Sequence, residues 1–360
     1  MQMDLLSNLL KKMLKLGASD LFISCGTPPA YRVNGKLLAR QDDDPLTPSK
    51  IEQMTQLIVT EEQKDAFEKN PELNIAVSVP NIGRFRVNLF RQRGELSMVI
   101  RAIPPEVPRL EDLHLPQVLK ETIMLKRGLV LIVGSTGSGK STTMAAMIDY
   151  RNENDLSHII TVEDPIEYYL KHKQCVVNQR EVGVDTKSYH EALVNTMRQS
   201  PDVLVIGEIR DRKTLEHALE YADTGHLCIA TFHANDTPQA FERIITLFPE
   251  ERREQLLISL STNMQAVISQ RLVKTVDNNL IPAWELIRTT SRIKDLIRRN
   301  NFGELKEAIE KDVSYGMQSF DQTLYELYKE GKISEDTALE NADSVNNLKL
   351  KMRLDKAAQY

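Results

Sequence analysis

Leu129-Val130-Leu131-Ile132-Val133-Gly134-Ser135-Thr136-Gly137-Ser138-Gly139-Lys140-Ser141 is an apolar run of strand length followed at once by the full G-x-x-x-x-G-K-S pattern. Thr142–Tyr150 then reads as a helix, with Met144, Met147 and Ile148 apolar. Strand, loop and helix stand in the order the pattern requires, so the fold is read as α/β. The glycines let backbone N–H groups curl around an anion, and the helix N-terminus adds positive potential. Gly134 through Thr142 are therefore the expected ATP-binding residues. Lys140 is expected to reach the β- and γ-phosphates, and Ser141 to ligate Mg²⁺. A glycine-rich βα turn without a ligand would explain neither the lysine nor the serine.

Two further apolar runs end in acids. Ile159–Val162 leads into Glu163, and Val203–Ile206 leads into Gly207-Glu208. Acids at the carboxyl ends of parallel strands sit where open α/β sheets bind ligands. The second run has the Walker B layout, with Gly207 where an aspartate usually stands. Glu208 is thus expected beside Mg²⁺ through water, and Glu163 is expected to orient or deprotonate the attacking water. The reverse assignment stays open. A fourth strand, Leu227–Thr231, is bracketed by His226 and His233. This spacing fits no common zinc pattern. The better reading is γ-phosphate sensing at a strand end, which makes both histidines site candidates.

Around this centre the chain is ordinary globular material. It has 360 residues, 41% apolar and 27% charged, enough for about two domains. The net charge of −5 weighs against nucleic-acid binding. Cys25, Cys175 and Cys228 form no disulfide framework or Cys-x-x-Cys pair. No apolar run approaches the ~20 residues that span a bilayer, and no signal-peptide pattern opens the chain, so a cytoplasmic location is expected.

The first hundred residues read as a small α+β module with an antiparallel sheet. Leu5, Leu6, Leu9, Leu10, Met13 and Leu14 make a helical face, read as packed on its own domain rather than on a membrane surface. Leu21–Ser24 reads as a strand and Tyr31–Ala39 as a hairpin turning at Asn34-Gly35. Asp42–Pro48 reads as a loop, and Thr60–Gln63 as a capping box. Leu73–Val79 and Phe85–Leu89 alternate as half-buried strands. Arg84, Arg86, Arg91, Arg93 and Arg101 crowd into eighteen residues with one acid, Glu95. They make either a solvated sheet face or a cationic surface for phosphate. Ile103–Pro108 holds three prolines and reads as a stiff domain boundary.

Downstream, residues 250–329 read as mostly helical. Leu256, Leu257, Leu260, Met264, Val267 and Ile268 are expected on one helical stripe, with a late strand at Ile281–Leu286. Residues 341–360 are polar and charged, with a weak helical pattern, and read as an appendage.

The order of segments resembles the type IV pilus retraction ATPases of the secretion-ATPase superfamily. The resemblance runs from Gly17-Ala18-Ser19-Asp20-Leu21 and Gly83–Asn88 through the P-loop, the Asp box at Ile160–Tyr168 and Asn178–Glu181. It continues through Pro201–Asp211, the His box at Thr224–His233, and Gly316–Asp321, covering about residues 1–335. Arg292-Ile293-Lys294-Asp295-Leu296-Ile297-Arg298-Arg299, Phe232-His233-Ala234-Asn235 and the longer tail resemble the accessory, PilU-like branch rather than the PilT-like one. The absent tetracysteine motif disfavours the extension and secretion branch.

The resemblance implies a PAS-like domain at 1–102, a linker at 103–115, a RecA-like ATPase domain at 116–340 and a tail at 341–360. It implies ATP held between the domains, with Arg84 and Arg101 favoured as arginine fingers and Arg86 a further candidate. It also implies a homohexamer, peripheral at the cytoplasmic face of the inner membrane. That hexamer would dock on the platform protein of the pilus machine and work with a PilT-like hexamer. Two other readings compete: a partner-binding module whose own turnover is dispensable, and a nucleic-acid translocase.

Overall fold

The computed structural model describes residues 2–33, 35–39, 44–104, 106–312 and 315–358. The chain divides into one unit of residues 1–106 with 167–169 and another of residues 107–166 with 170–360.

The first unit is built on six strands: β1 (Asp20–Ile23), β2 (Ala30–Val33), β3 (Lys36–Ala39), β4 (Glu72–Val79), β5 (Gly83–Gln92) and β6 (Glu95–Ile103). They pair antiparallel in the order β3-β2-β1-β6-β5-β4. Phe85, Val87 and Leu89 alternate onto the buried face, where Leu6, Leu9, Leu10 and Met13 of the helix Gln2–Lys15 join them. That helix therefore packs on its own unit. The capping box forms in full, with Thr60 accepting from Gln63 N and Gln63 Oε1 accepting from Thr60 N. β2 and β3 make the expected hairpin, although Asn34 of the expected turn lies outside the described residues, as do residues 41–43 of the loop after it. On the opposite sheet face, register lines up Arg32, Asp20, Arg101 and Arg86 in one row.

The second unit holds β7 (Gly128–Gly134), β8 (His158–Glu163), β9 (Val176–Glu181), β10 (Val203–Ile206), β11 (Leu227–Phe232), β12 (Met264–Lys274) and β13 (Leu280–Arg288). Their order is β13-β12-β7-β11-β10-β8-β9, parallel except for β13. Leu129, Leu131 and Val133 enter the core on one face of the sheet and Val130 and Ile132 on the other. A parallel strand covered on both faces must read as a continuous apolar run, which is why β7 was so visible.

Two readings need correction. The helix Glu250–Asn263 ends before Met264, and Met264, Val267 and Ile268 lie on β12 instead. The helix-compatible spacing of Met264, Val267 and Ile268 gave way to pairing with β7, which satisfies the strand's backbone. The expected linker at 103–115 is partly structured. Ile103 ends β6, Leu110 and Leu115 are buried in the second unit's core, and Pro105 lies outside the described residues. The weak helical pattern of the tail is a packed helix. Its helix Val345–Ala358 buries Leu348 and Met352 with Phe320 and Leu324, Gln359 and Tyr360 lying outside the described residues. Among the described residues no helix is long and apolar enough to cross a membrane.

Candidate active site

β7 delivers the chain to Gly134, and the helix Lys140–Asn154 begins six residues later. A Cβ on Gly134 would come 2.7 Å from the Gln270 carbonyl oxygen and would also strike Ser138 Oγ. Gly139 caps the helix at φ 90°, a left-handed conformation that favours glycine. The Ser138 hydroxyl is buried with no partner among the described residues. Ser141 and Thr142 stand in the first helical turn, where backbone N–H groups lack intrahelical acceptors.

The Lys140 ammonium donates to the carbonyls of Gly134 and Ser135, both at 2.8 Å. Burial lowers its pKa and the Glu208 charge works against that shift. Its third neighbour is His233 Nδ1, at 3.4 Å. His233 Nε2 lies 3.0 Å from Glu208 Oε1. Glu208 Oε2 accepts from Arg210 Nε at 2.6 Å, and Arg210 Nη1 reaches Asp164 at 3.1 Å. This polar chain crosses the carboxyl ends of β7, β11, β10 and β8, which are successive neighbours in the sheet. The topology thus brings Lys140, His233 and Glu208 together from three separate segments.

Glu163 closes β8 and is nearly buried, at 7% exposure. Its Oε1 accepts from Thr161 Oγ1 at 2.6 Å and from Gln179 Nε2 at 3.1 Å. Gln179 belongs to β9, which gives the Asn178–Glu181 segment a job in orienting that carboxylate. Gly207 explains the departure from the Walker B pattern. A Cβ there would come 3.0 Å from Glu163 Cα and from the Tyr189 hydroxyl.

His226 is not brought into this group. It precedes β11 and its carbonyl accepts from Gly128 N, at the start of β7, whereas His233 follows the strand's far end. Seven steps at a strand's rise separate their backbones by about 23 Å. His226 instead packs at a tilt against the Tyr221 ring and contacts Thr224 Oγ1. In the first unit, Arg101 is paired with Asp20 at 2.8 Å, while the buried Nε of Arg84 has no partner among the described residues. Among the described residues no group of three or more His, Cys, Asp or Glu could hold a metal ion.

Sequence reasoning missed residues that shape the surroundings. One cleft of about 630 Å³ is lined by Ser135, Thr136, His233, Gln239 and Arg243. Another of about 520 Å³ is lined by Gly137, Ser138, Gln270, Arg271, Leu272 and Asn341. Asp236-Thr237-Pro238 after the His box was a legible helix start, and it would have placed Gln239 and Arg243 beside His233.

Residues 2–313 match the family described as Type II/IV secretion system protein. The chain is 48% identical to the type IV pilus ATPase PilU of Pseudomonas aeruginosa, over 96% of this chain and 91% of that protein. It is 40% identical to the PilT retraction ATPase of the same organism, over 95% and 99% respectively. The crystal structure of the pilus retraction motor PilT with bound ADP superposes with a TM-score of 0.89, at 40% identity, covering 95% of this chain and 98% of that one. The chain therefore belongs to the Type II/IV secretion system protein family, as an ATP-hydrolysing member of its PilT/PilU group of pilus ATPases.

Proposed function

We propose that this protein is a hexameric motor subunit that assists type IV pilus retraction in the manner of PilU, alongside a PilT-type hexamer. It would sit peripherally at the cytoplasmic face of the inner membrane, against the platform protein of the pilus machine, with no role in nucleic-acid handling. The PAS-like and RecA-like domain assignments belong to the same reading. The observation that carries it is the polar chain from Lys140 through His233 to Glu208 beside a complete P-loop.

In this reading Gly134–Thr142 cradle the phosphates and Lys140 leaves the loop carbonyls for the β- and γ-phosphates. Glu163, oriented by Thr161 and Gln179, accepts a proton from the attacking water. His233 links Lys140 to Glu208 and so senses the γ-phosphate. The Ser141 hydroxyl and the Glu208 carboxylate are hard oxygen donors that suit Mg²⁺. Bound there, Mg²⁺ would neutralise charge on the β- and γ-phosphates. Arg84 and Arg101 are the arginines proposed to stabilise charge during hydrolysis.

Replacing Lys140 with Ala should abolish ATP turnover in a folded chain, and unchanged turnover would sink the mechanism. Pilus-retraction assays with Glu163→Gln then separate motor from binding module. Retained retraction without hydrolysis would favour a partner-binding role.

A further inference from the structure

Two clefts beside the P-loop share His233 and Arg243, and one of them also reaches Glu208. That is the flank where Lys140 meets His233, so the terminal phosphate belongs there. The cleft of about 520 Å³ shares Ser135, Thr136 and Asn235 with the first of these and extends past Gly137 and Ser138 toward Arg271, Leu272 and Asn341. β12 lies on the side of β7 away from β11, so a nucleotide whose terminal phosphate meets His233 has its nucleoside toward this second flank.

Arg271 brings a guanidinium to that flank, and the last part of the chain holds it. Its Nη1 lies 2.7 Å from Asp343 Oδ1 and donates to the Asn341 carbonyl at 3.0 Å. Its guanidinium carbon stands 4.0 Å from the centre of the Phe320 ring. Asp343 is anchored in turn. Its other oxygen takes Lys306 at 2.9 Å, and its backbone N–H, with that of Ser344, donates to Asp321. Burial opposes the Asp343 charge, but Lys306 and Arg271 outweigh it and hold the carboxyl below its ordinary range. The clamp is therefore ionised at neutral pH. A guanidinium tethered along its edge and stacked on Phe320 by one face is set to stack a nucleobase on the other.

We propose that the C-terminal segment completes the nucleoside half of the nucleotide site, with Asp343 as the positioning residue that sets Arg271 against the base. This rests on the P-loop reading above.

Calorimetric titration of the full chain with ADP and, separately, with inorganic tripolyphosphate tests it. Asp343→Asn should weaken ADP binding about tenfold and leave tripolyphosphate binding unchanged. Arg271→Lys, which keeps the charge facing Asp343 but lacks the planar group, should show the same selective loss. Equal ADP affinity in Asp343→Asn and Arg271→Lys, or parallel loss of both probes, overturns the proposal. An unaltered chain that binds neither probe instead overturns the P-loop reading beneath it.

Discussion

His233 holds Glu208 through Nε2 at 3.0 Å while its Nδ1 faces the Lys140 ammonium at 3.4 Å. An ionised carboxylate only accepts and an ammonium only donates. The ring in this geometry carries its proton on Nε2 and offers the Nδ1 lone pair to Lys140. One imidazole thus joins the lysine of the glycine-rich loop to the acid two strands away. His233→Ala should lower kcat about ten- to a hundredfold, the worth of one charge-assisted hydrogen bond. ADP affinity should hold, because the backbone N–H groups of the loop are untouched. Steady-state kinetics with ADP titration checks both halves.

Restoring the usual aspartate at position 207 should harm the protein. The new Cβ would meet Glu163 Cα and the Tyr189 hydroxyl at 3.0 Å and the Val162 carbonyl at 3.2 Å. Two of those atoms belong to the backbone of β8, which its pairing with β10 holds in place, so relief requires a shift of the strand rather than of a flexible side chain. Gly207→Asp should cost about 1–3 kcal/mol, as overpacking does. It should also displace Glu163 and slow turnover. Thermal unfolding and ATPase rates are the measurements, and a stable, fully active variant would refute the close approach.

The site was legible wherever one segment carried both an apolar strand and the polar group at its end. β7 with its loop, β8 with Glu163 and β10 with Glu208 are of this kind, because parallel strands buried on both faces write continuous apolar runs. His226 and His233 show the limit. They bracket one strand symmetrically in sequence, and only the parallel pairing with β7 decides which end lies beside the loop. β12 failed for a different reason. Short apolar runs fit helix and strand alike, and the neighbouring strand chose. The tail shows its helix only weakly in sequence because just two of its side chains, Leu348 and Met352, join the buried cluster, while its main tether, Asp343, is polar.

Glu285 should make the second unit less stable as pH rises. It is fully buried, and burial lifts its carboxyl from 4.5 to about 7, while the Thr237 hydrogen bond works the other way and Asp236 and Asp343 add to the rise. The folded chain keeps a proton that the unfolded chain has released. Its stabilising contribution is complete below pH 4.5 and is lost as pH climbs through about 7. The loss is at most roughly 3 kcal/mol. Glu285→Gln keeps an acceptor for Thr237 N and should flatten this slope. Urea unfolding followed by Trp284, the single tryptophan and the neighbour of Glu285 in β13, reads it at about pH 5 and about pH 8.

Arg84 and Arg101 should part company on mutation. Arg101 faces Asp20, which is 4% exposed and whose other arginine, Arg32, stands farther off at 3.6 Å. Arg101→Ala leaves that acid poorly paired and should cost the first unit about 1–2 kcal/mol, discounted because the guanidinium itself is largely exposed. Arg84 holds a buried Nε with no partner among the described residues, so its removal strands no other charge. Arg84→Ala should therefore leave thermal stability unchanged. If Arg84 supplies charge during hydrolysis, its loss should lower kcat about tenfold or more. A fall in kcat with Arg101→Ala at unchanged stability, and none with Arg84→Ala, would move the role to Arg101.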